Sequence, residues 1–248
     1  MSTHGSFGHM RAAYSAARRG YPSEAYDYLL KSVGLESPRT LDVGCGTGIS
    51  TRELQQHGFD VVGADKDAGM ISAAREQSPR IHYVVAPADS LPSDLGPFDL
   101  VTAFTAFHWF NDEESLTEIR RVLKDGGHFF AALKGNRRSE ETGAFREGYR
   151  AILKKYGGEK YDQTYDHFRT DIVESLFTNL REKSFYVDEK YALDDALALA
   201  RSLSVWNLIP EANKEKFIEE LRGFYQKHLI GGFVVRRREI FTLLATKA

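Results

Sequence analysis

The stretch Leu41-Asp42-Val43-Gly44-Cys45-Gly46-Thr47-Gly48 (LDVGCGTG, residues 41–48) decides the fold. Thr40 to Val43 reads as a short strand. Three alternating glycines follow, and then Ile49 to His57 has the spacing of a helix that Gly58 stops. Glycine at such a turn meets two needs. It adopts backbone angles that other residues avoid, and it lets a ligand approach the main chain closely. The helix behind it turns free N–H groups and a positive dipole end toward the same point.

Working outward, the same rhythm repeats. Val61 to Ala64 reads as a second strand, and Asp67 caps a helix over 68–75. Ile81 to Val85 and Phe98 to Ala103 read as further strands. Leu116, Ile119 and Leu123 give helical spacing to 113–123, and Asp125-Gly126-Gly127 turns into a fifth strand over 128–133. Short apolar strands alternating with helices predict a parallel sheet covered on both faces. Upstream, Phe7, Tyr14 and Tyr21 punctuate an Ala/Arg-rich segment suited to a short amphipathic helix. A second helix is expected to start at Pro22-Ser23, with Ser23 as N-cap, and to end near Lys31 and Gly34. Downstream, residues 136–180 are charged, tyrosine-rich and mostly helical in pattern. Strands are expected over 184–191 and 240–246, and helices over 194–203 and 212–229.

Composition narrows the function classes. The 248 residues are 42% hydrophobic, enough for a sizeable core. Lys and Arg total 33 against 35 Asp and Glu, a net charge of −2, which gives no electrostatic case for nucleic acid or an anionic membrane. No apolar stretch approaches about 18 residues, and the N-terminus lacks an apolar signal core. Cys45 is the single cysteine, so a disulfide scaffold is excluded. A cytoplasmic protein, monomeric or homodimeric, is expected. No C-x-x-C or H-x-x-x-H pair occurs, so no metal is expected.

Asp65 ends the second strand, where an acid accepts hydrogen bonds from both hydroxyls of a ribose. Dinucleotide loops read G-x-G-x-x-G, whereas here the third glycine comes one place early and Ile49 stands in its position. Asp42 precedes the loop and is expected to face the ligand. An acid there suits an ammonium and opposes a pyrophosphate. S-adenosylmethionine carries an ammonium, a sulfonium and a ribose, and no phosphate, so charge favours it. An NAD-dependent oxidoreductase is the alternative of another class, and a non-catalytic cofactor-binding protein is a third. There is no G-x-x-x-x-G-K-[ST], which excludes a P-loop.

On these residues the chain resembles the class I S-adenosylmethionine-dependent methyltransferases of the methyltransferase type 11 kind, over about residues 7–134. LDVGCGTG resembles the family's first motif and VVGAD, ending in Asp65, the second. Ala88-Asp89-Ser90-Leu91-Pro92 resembles the segment that holds the adenine, with Ala86-Pro87 where relatives often have Gly-Asp. FDLVTAFTAFHWF (98–110) and LKDGGHFFAAL (123–133) resemble the fourth and fifth strands with their flanks. Tyr14-x-x-x-Arg18-x-x-Tyr21-Pro22, taken with His108-Trp109-Phe110, resembles the trans-aconitate subgroup, here with Arg18-Arg19 in place of Arg-Pro. The resemblance implies a Rossmann-like, doubly wound α/β sheet of seven strands, mostly parallel with an antiparallel edge strand, under a helical lid. A single domain is expected over 1–248: an N-terminal arm and helix (1–35), a cofactor-binding core (36–134), and the lid with the late strands (135–248). The implied cofactor residues are Tyr14, Arg18, Asp42, Gly44, Cys45, Gly46, Asp65, Lys66, Met70, Ala88, Asp89, Ser90, Phe104 and Thr105. Tyr14 and Arg18 would close the arm over the cofactor.

The expected activity is methyl transfer to a small-molecule acceptor, leaving S-adenosylhomocysteine. O-methylation of a carboxylate comes first, with C- or N-methylation of a metabolite or lipid as the alternative. A carboxylate is already ionised and needs no base, whereas a phenol or amine often does. His108 is the candidate for that role, as a base or a positioning group, or else it only packs in its loop. Tyr21, His108, Trp109 and Arg201 are the candidate acceptor pocket, with Phe107 and Phe110 as further walls. Arg137, Arg138 and Arg236-Arg237-Arg238 could bind a carboxylate through a planar fork, and Tyr161, Tyr165, His167 and Phe168 could touch the acceptor. Ser202, Ser204 and Trp206 complete the candidates. The Asn/Asp-Pro-Pro-Tyr/Phe motif that positions amino groups in many nucleobase and glutamine methyltransferases does not follow the fourth strand.

Overall fold

The computed structural model describes residues 19–136, 140–158 and 168–248. Tyr14, Arg18, Arg137, Arg138, Tyr161, Tyr165, His167 and the expected first helix lie outside the described residues. Helix α1 (Ser23–Val33) precedes β1 (Arg39–Val43), α2 (Ile49–Gln56), β2 (Asp60–Asp65), α3 (Ala68–Gln77), β3 (His82–Val85) and β4 (Phe98–Phe104). Then come α4 (Glu113–Val122), β5 (Leu123–Asn136), α5 (Glu140–Gly157), α6 (Thr170–Leu176) and β6 (Thr178–Tyr191). Helices α7 (Leu193–Arg201) and α8 (Glu211–Lys227) lead to β7 (Val234–Thr246).

The strands form one seven-stranded sheet in the order β3-β2-β1-β4-β5-β7-β6. Strands β1 to β5 pair in parallel, while β7 pairs antiparallel with both β5 and β6. The late strands thus make the antiparallel end of a doubly wound α/β sheet. Leu29 of α1, Leu54 of α2 and Ile71 of α3 pack one face, and Leu116, Ile119 and Val122 of α4 pack the other. A third cluster joins α5, α7 and α8 through Tyr149, Leu197, Phe217 and Tyr225.

Local chemistry explains most boundaries. Asp67 caps α3, its carboxylate accepting from the N–H groups of Gly69 and Met70 at 2.8 and 3.1 Å. Asp112 does the same for α4 through the Ser115 N–H. Helix α1 corrects one expectation. Pro22 occupies the N-cap and Ser23 is already helical, with no side-chain cap, because the fixed φ of proline sets the entry instead. Gly34 closes that helix in the left-handed region at φ 72°. The turn expected over 125–127 is a bulge within β5, since Phe98 pairs with Leu123 and Leu100 with His128. Helix α6 also departs from the expected lid, for Val173 packs with the α4 face of the sheet.

Candidate functional site

The strand order reverses between β1 and β4, the point where open α/β sheets bind ligands at their carboxyl ends. A cleft open to solvent lies there, its empty space about 890 Å³ with the solvent at its mouth included. Its wall takes Gly44 and Gly46 from the end of β1, Asp65 to Asp67 from β2, Ala86 to Asp89 from β3, and Thr105 and Ala106 from β4. Met70, Trp109, Phe110, Asp112 and Ser115 complete it.

Gly44, Gly46 and Gly48 all have positive φ, at 70°, 55° and 76°. At Gly44 the glycine is needed twice, because an added Cβ would also stand 2.5 Å from the Ala106 Cβ. The loop is pinned to β2 by the N–H groups of Gly44 and Cys45, which donate to the Ala64 carbonyl at 2.7 and 3.0 Å. Asp65 is clamped by backbone. One carboxylate oxygen accepts from the Gly46 N–H and the other from the Asp67 N–H, both at 2.9 Å. Each oxygen retains a lone pair for a further donor. Burial pushes the Asp65 carboxyl above its ordinary range, and the two N–H donors work against that rise.

Asp42 does not face the ligand. It is fully buried beneath the loop, absent from the cavity wall, and accepts from the hydroxyls of Ser50, Thr51 and Thr102 at 2.8, 2.7 and 2.9 Å. It therefore ties the start of α2 to β4. Burial pushes its carboxyl up to about 6, against the three hydroxyls that favour the charged form. The negative charge at the cavity comes from other residues. Asp65, Asp67, Asp89 and Asp112 line it, with Lys66 as the single Lys or Arg of the wall.

Of the other expected site residues, Lys66, Met70, Ala88, Thr105 and Trp109 line this cavity. Cys45 and Phe104 are buried in the core, with burial raising the Cys45 thiol well above its usual value, and Ser90 is exposed. Phe104 packs edge-on against Tyr21 at 4.8 Å between ring centres. The Tyr21 hydroxyl in turn meets the Thr105 hydroxyl. Thr105 sits at φ 49°, a strained angle for a β-branched residue, with its N–H bonded to the Ala132 carbonyl at 2.7 Å. His108 lies on the 3-10 turn Phe107–Trp109, its ring centre 5.0 Å from that of Trp109, but does not line the cavity. Phe107 and Phe168 belong to the core, and Arg201 is exposed at the end of α7. Ser202 is buried at the end of that helix, and Trp206 packs against Phe217.

Sequence reasoning missed Asp67 and Asp112 as wall residues, although Asp67 was visible as a helix cap. A cap at the carboxyl end of a parallel strand stands at the ligand edge, and that was the available signal. It also missed the environment of Arg236 and Arg238, which are 3% and 9% exposed. Among the described residues no helix is long and apolar enough to cross a membrane, and no group of three His, Cys, Asp or Glu could hold a metal.

Residues 41–131 match the family model described as a methyltransferase domain. An uncharacterized methyltransferase of Mycobacterium tuberculosis is 36% identical over 142 residues, 57% of this chain and 56% of that protein. A malonyl-acyl-carrier-protein O-methyltransferase of Enterobacter lignolyticus is 29% identical over 167 residues, 66% of this chain and 62% of that one. The chain thus spans little more than half the length of these curated relatives. Among solved structures, phosphoethanolamine N-methyltransferase 2 of Haemonchus contortus, in complex with S-adenosyl-L-methionine, superposes with a TM-score of 0.54 at 18% identity. That match covers 97% of this chain and 57% of the other, and it speaks for the fold alone.

Proposed function

We propose that this chain is an S-adenosylmethionine-dependent methyltransferase that O-methylates a carboxylate on a small molecule. One observation carries the reading. A glycine loop and a backbone-clamped acid meet at the switch point of the sheet, in a cavity walled by four carboxylates and one lysine. That charge balance opposes a pyrophosphate and suits a phosphate-free ligand with cationic centres. The space a Cβ would fill at Gly44 gives such a ligand close access to the main chain.

S-adenosylmethionine, when bound, supplies an electrophilic methyl group that needs no further activation. The protein then has three tasks. The first is binding: Asp65 would accept from the ribose hydroxyls, while the acids of the wall hold the cationic end. The second is alignment of acceptor and methyl for in-line attack, set by the strained Thr105 just after β4 and by Trp109 on the 3-10 turn beyond it. The third is exclusion of water, which Phe110 and the helical cover would supply. A carboxylate acceptor attacks without a base, in keeping with the position of His108 off the wall. The O-methyltransferase among the relatives supports the carboxylate choice, and Tyr21 with His108-Trp109-Phe110 supports the trans-aconitate subgroup. A single buried cysteine fits a cytoplasmic setting.

Titration calorimetry with S-adenosylhomocysteine and with NADH tests the reading. S-adenosylhomocysteine should bind and NADH should not. Asp65→Ala should weaken S-adenosylhomocysteine by about 10- to 100-fold, the loss expected for hydrogen bonds to a charged acceptor. Equal binding by that variant removes the ribose assignment, and tight NADH binding removes the methyltransferase.

A further inference from the structure

The far half of the sheet edge buries cations instead of acids. Lys134 and Asn136 stand at the carboxyl end of β5, and Arg238 pairs with Asn136 on β7. Glu189 of β6 is the carboxylate that serves this group, and its oxygens are already taken. One accepts from Lys134 Nζ at 2.8 Å, and the other from Arg238 Nε at 2.9 Å and the Tyr191 hydroxyl at 3.0 Å. Glu53 lies further off and acts on Lys134. Arg236 has no carboxylate partner among the described residues. Its two terminal nitrogens reach the Tyr149 hydroxyl at 3.4 Å and the Asn136 oxygen at 3.3 Å, both long. Its Nε is buried without a hydrogen-bond partner, and the buried Tyr225 hydroxyl stands beside that of Tyr149. The Tyr149 ring lies 4.6 Å from the guanidinium carbon.

A buried guanidinium without an anion is costly, and removing it is often neutral or favourable. The field of the group is divided: burial disfavours the Arg236 charge, but Tyr149, Tyr225 and Glu189 more than offset it and hold that guanidinium above its ordinary value. Burial and the neighbouring Arg236 charge hold Arg238 below its ordinary value. Burial alone would raise Glu189, yet Arg238 and Lys134 hold it low. The cluster also touches the cavity wall. Lys134 Nζ lies 4.9 Å from the centre of the Tyr21 ring, and Tyr21 bonds Thr105. From Ala132, which holds Thr105, to Asn136 is four residues of strand, about 13 Å.

We infer that Arg236, with Tyr149 and Tyr225, is an anion-recognition site of the acceptor pocket, taking a carboxylate distal to the group that is methylated. The acceptor is then an elongated dicarboxylate whose far end supplies the missing counter-charge in a forked pair. Tyr149 and Tyr225 belong to α5 and α8, so the helical cover must part for the anion to enter. This assignment rests on the methyltransferase reading for its reacting end, and stands alone for its anion.

The test measures adipate, acetate and inorganic phosphate binding at matched ionic strength, with and without S-adenosylhomocysteine, in wild type, Arg236→Met and Arg236→Lys. Adipate should bind wild type more tightly than acetate or phosphate. Arg236→Met should weaken adipate by about 10- to 100-fold, leave S-adenosylhomocysteine within about twofold, and melt no lower than wild type in the absence of anions. Arg236→Lys keeps the charge and loses the fork, and should weaken adipate by about tenfold. It decides the matter if the Met variant does not fold. Adipate affinity unchanged in the Lys variant, phosphate binding as tight as adipate, or no adipate binding to wild type overturns the site. Wild type that binds adipate but not S-adenosylhomocysteine overturns the methyltransferase reading and leaves the anion site standing.

Discussion

Two regions of one sheet edge differ in sign. Where β1 to β4 end, carboxylates line an open cavity and the backbone holds the acid that matters. Where β5 to β7 meet the helical cover, cations are buried and share one carboxylate. The first region is built for a ligand with positive centres, the second for one with negative charge. A methyl donor with a sulfonium and an acceptor with carboxylates would each find its complement, and neither region would serve the other ligand. The difference also separates two ways of building a site. The acidic end relies on main-chain geometry, which a single Cβ can destroy. The basic end relies on side chains, whose loss changes charge and leaves the backbone in place.

The sharpest way to break the comparison is therefore at Gly44. Gly44→Val places a branched side chain at φ 70°, with its Cβ 2.5 Å from the Ala106 Cβ. The loop must move or the cavity must fill. S-adenosylhomocysteine affinity should fall by more than about 100-fold, while adipate binding at Arg236 stays within about twofold. Calorimetry with both ligands reads the two ends separately. Equal losses at both would show that the ends are one site and not two.

Asp42 gives the next effect, on stability. Its folded-state carboxyl sits at about 6, above the ordinary 3.8. The native protein therefore holds that proton more tightly than the unfolded chain does. The stability this gives is complete below the unfolded value and is lost as pH rises through about 6. The loss is on the order of 3 kcal/mol. Asp42→Asn keeps the shape and can still bond the three hydroxyls. The stability of wild type relative to this variant should drop between pH 4 and about 6.5 and then stay level, as measured by urea unfolding across pH. A flat difference would mean that the hydroxyls cancel the burial.

How far the two ends could be read from sequence follows from how they are built. The acidic end is local. Gly44, Gly46 and Asp65 sit in short motifs flanked by strands, so spacing alone placed them, and Asp67 was legible as a cap. Asp42 was misread because its partners, Ser50, Thr51 and Thr102, lie on three-dimensional neighbours. The basic end is non-local. Val234, Arg236, Arg238, Ile240, Thr242 and Leu244 share one buried face of β7, a period of two that includes both arginines. The charged run Arg236-Arg237-Arg238-Glu239 hid that alternation, so the strand was expected to start only at Ile240. Nothing in the chain near Arg238 announces Glu189, which bonds it from another strand.

The smallest effect tests whether burial, and not cationic charge as such, makes the basic end special. Lys155 and Glu220 also pair on the helical cover, with Tyr156 sharing the same carboxylate oxygen. Their side chains are 59% and 37% exposed, against 12% and 4% for Lys134 and Glu189. Water and salt screen the outer pair, and ordering two long side chains offsets most of its attraction. Lys155→Ala should therefore leave both the melting temperature and adipate affinity unchanged. A thermal melt and one calorimetric titration are enough to check it. If adipate weakens as much as in Arg236→Met, the anion responds to the overall field of the cover, and a specific buried fork is not what holds it.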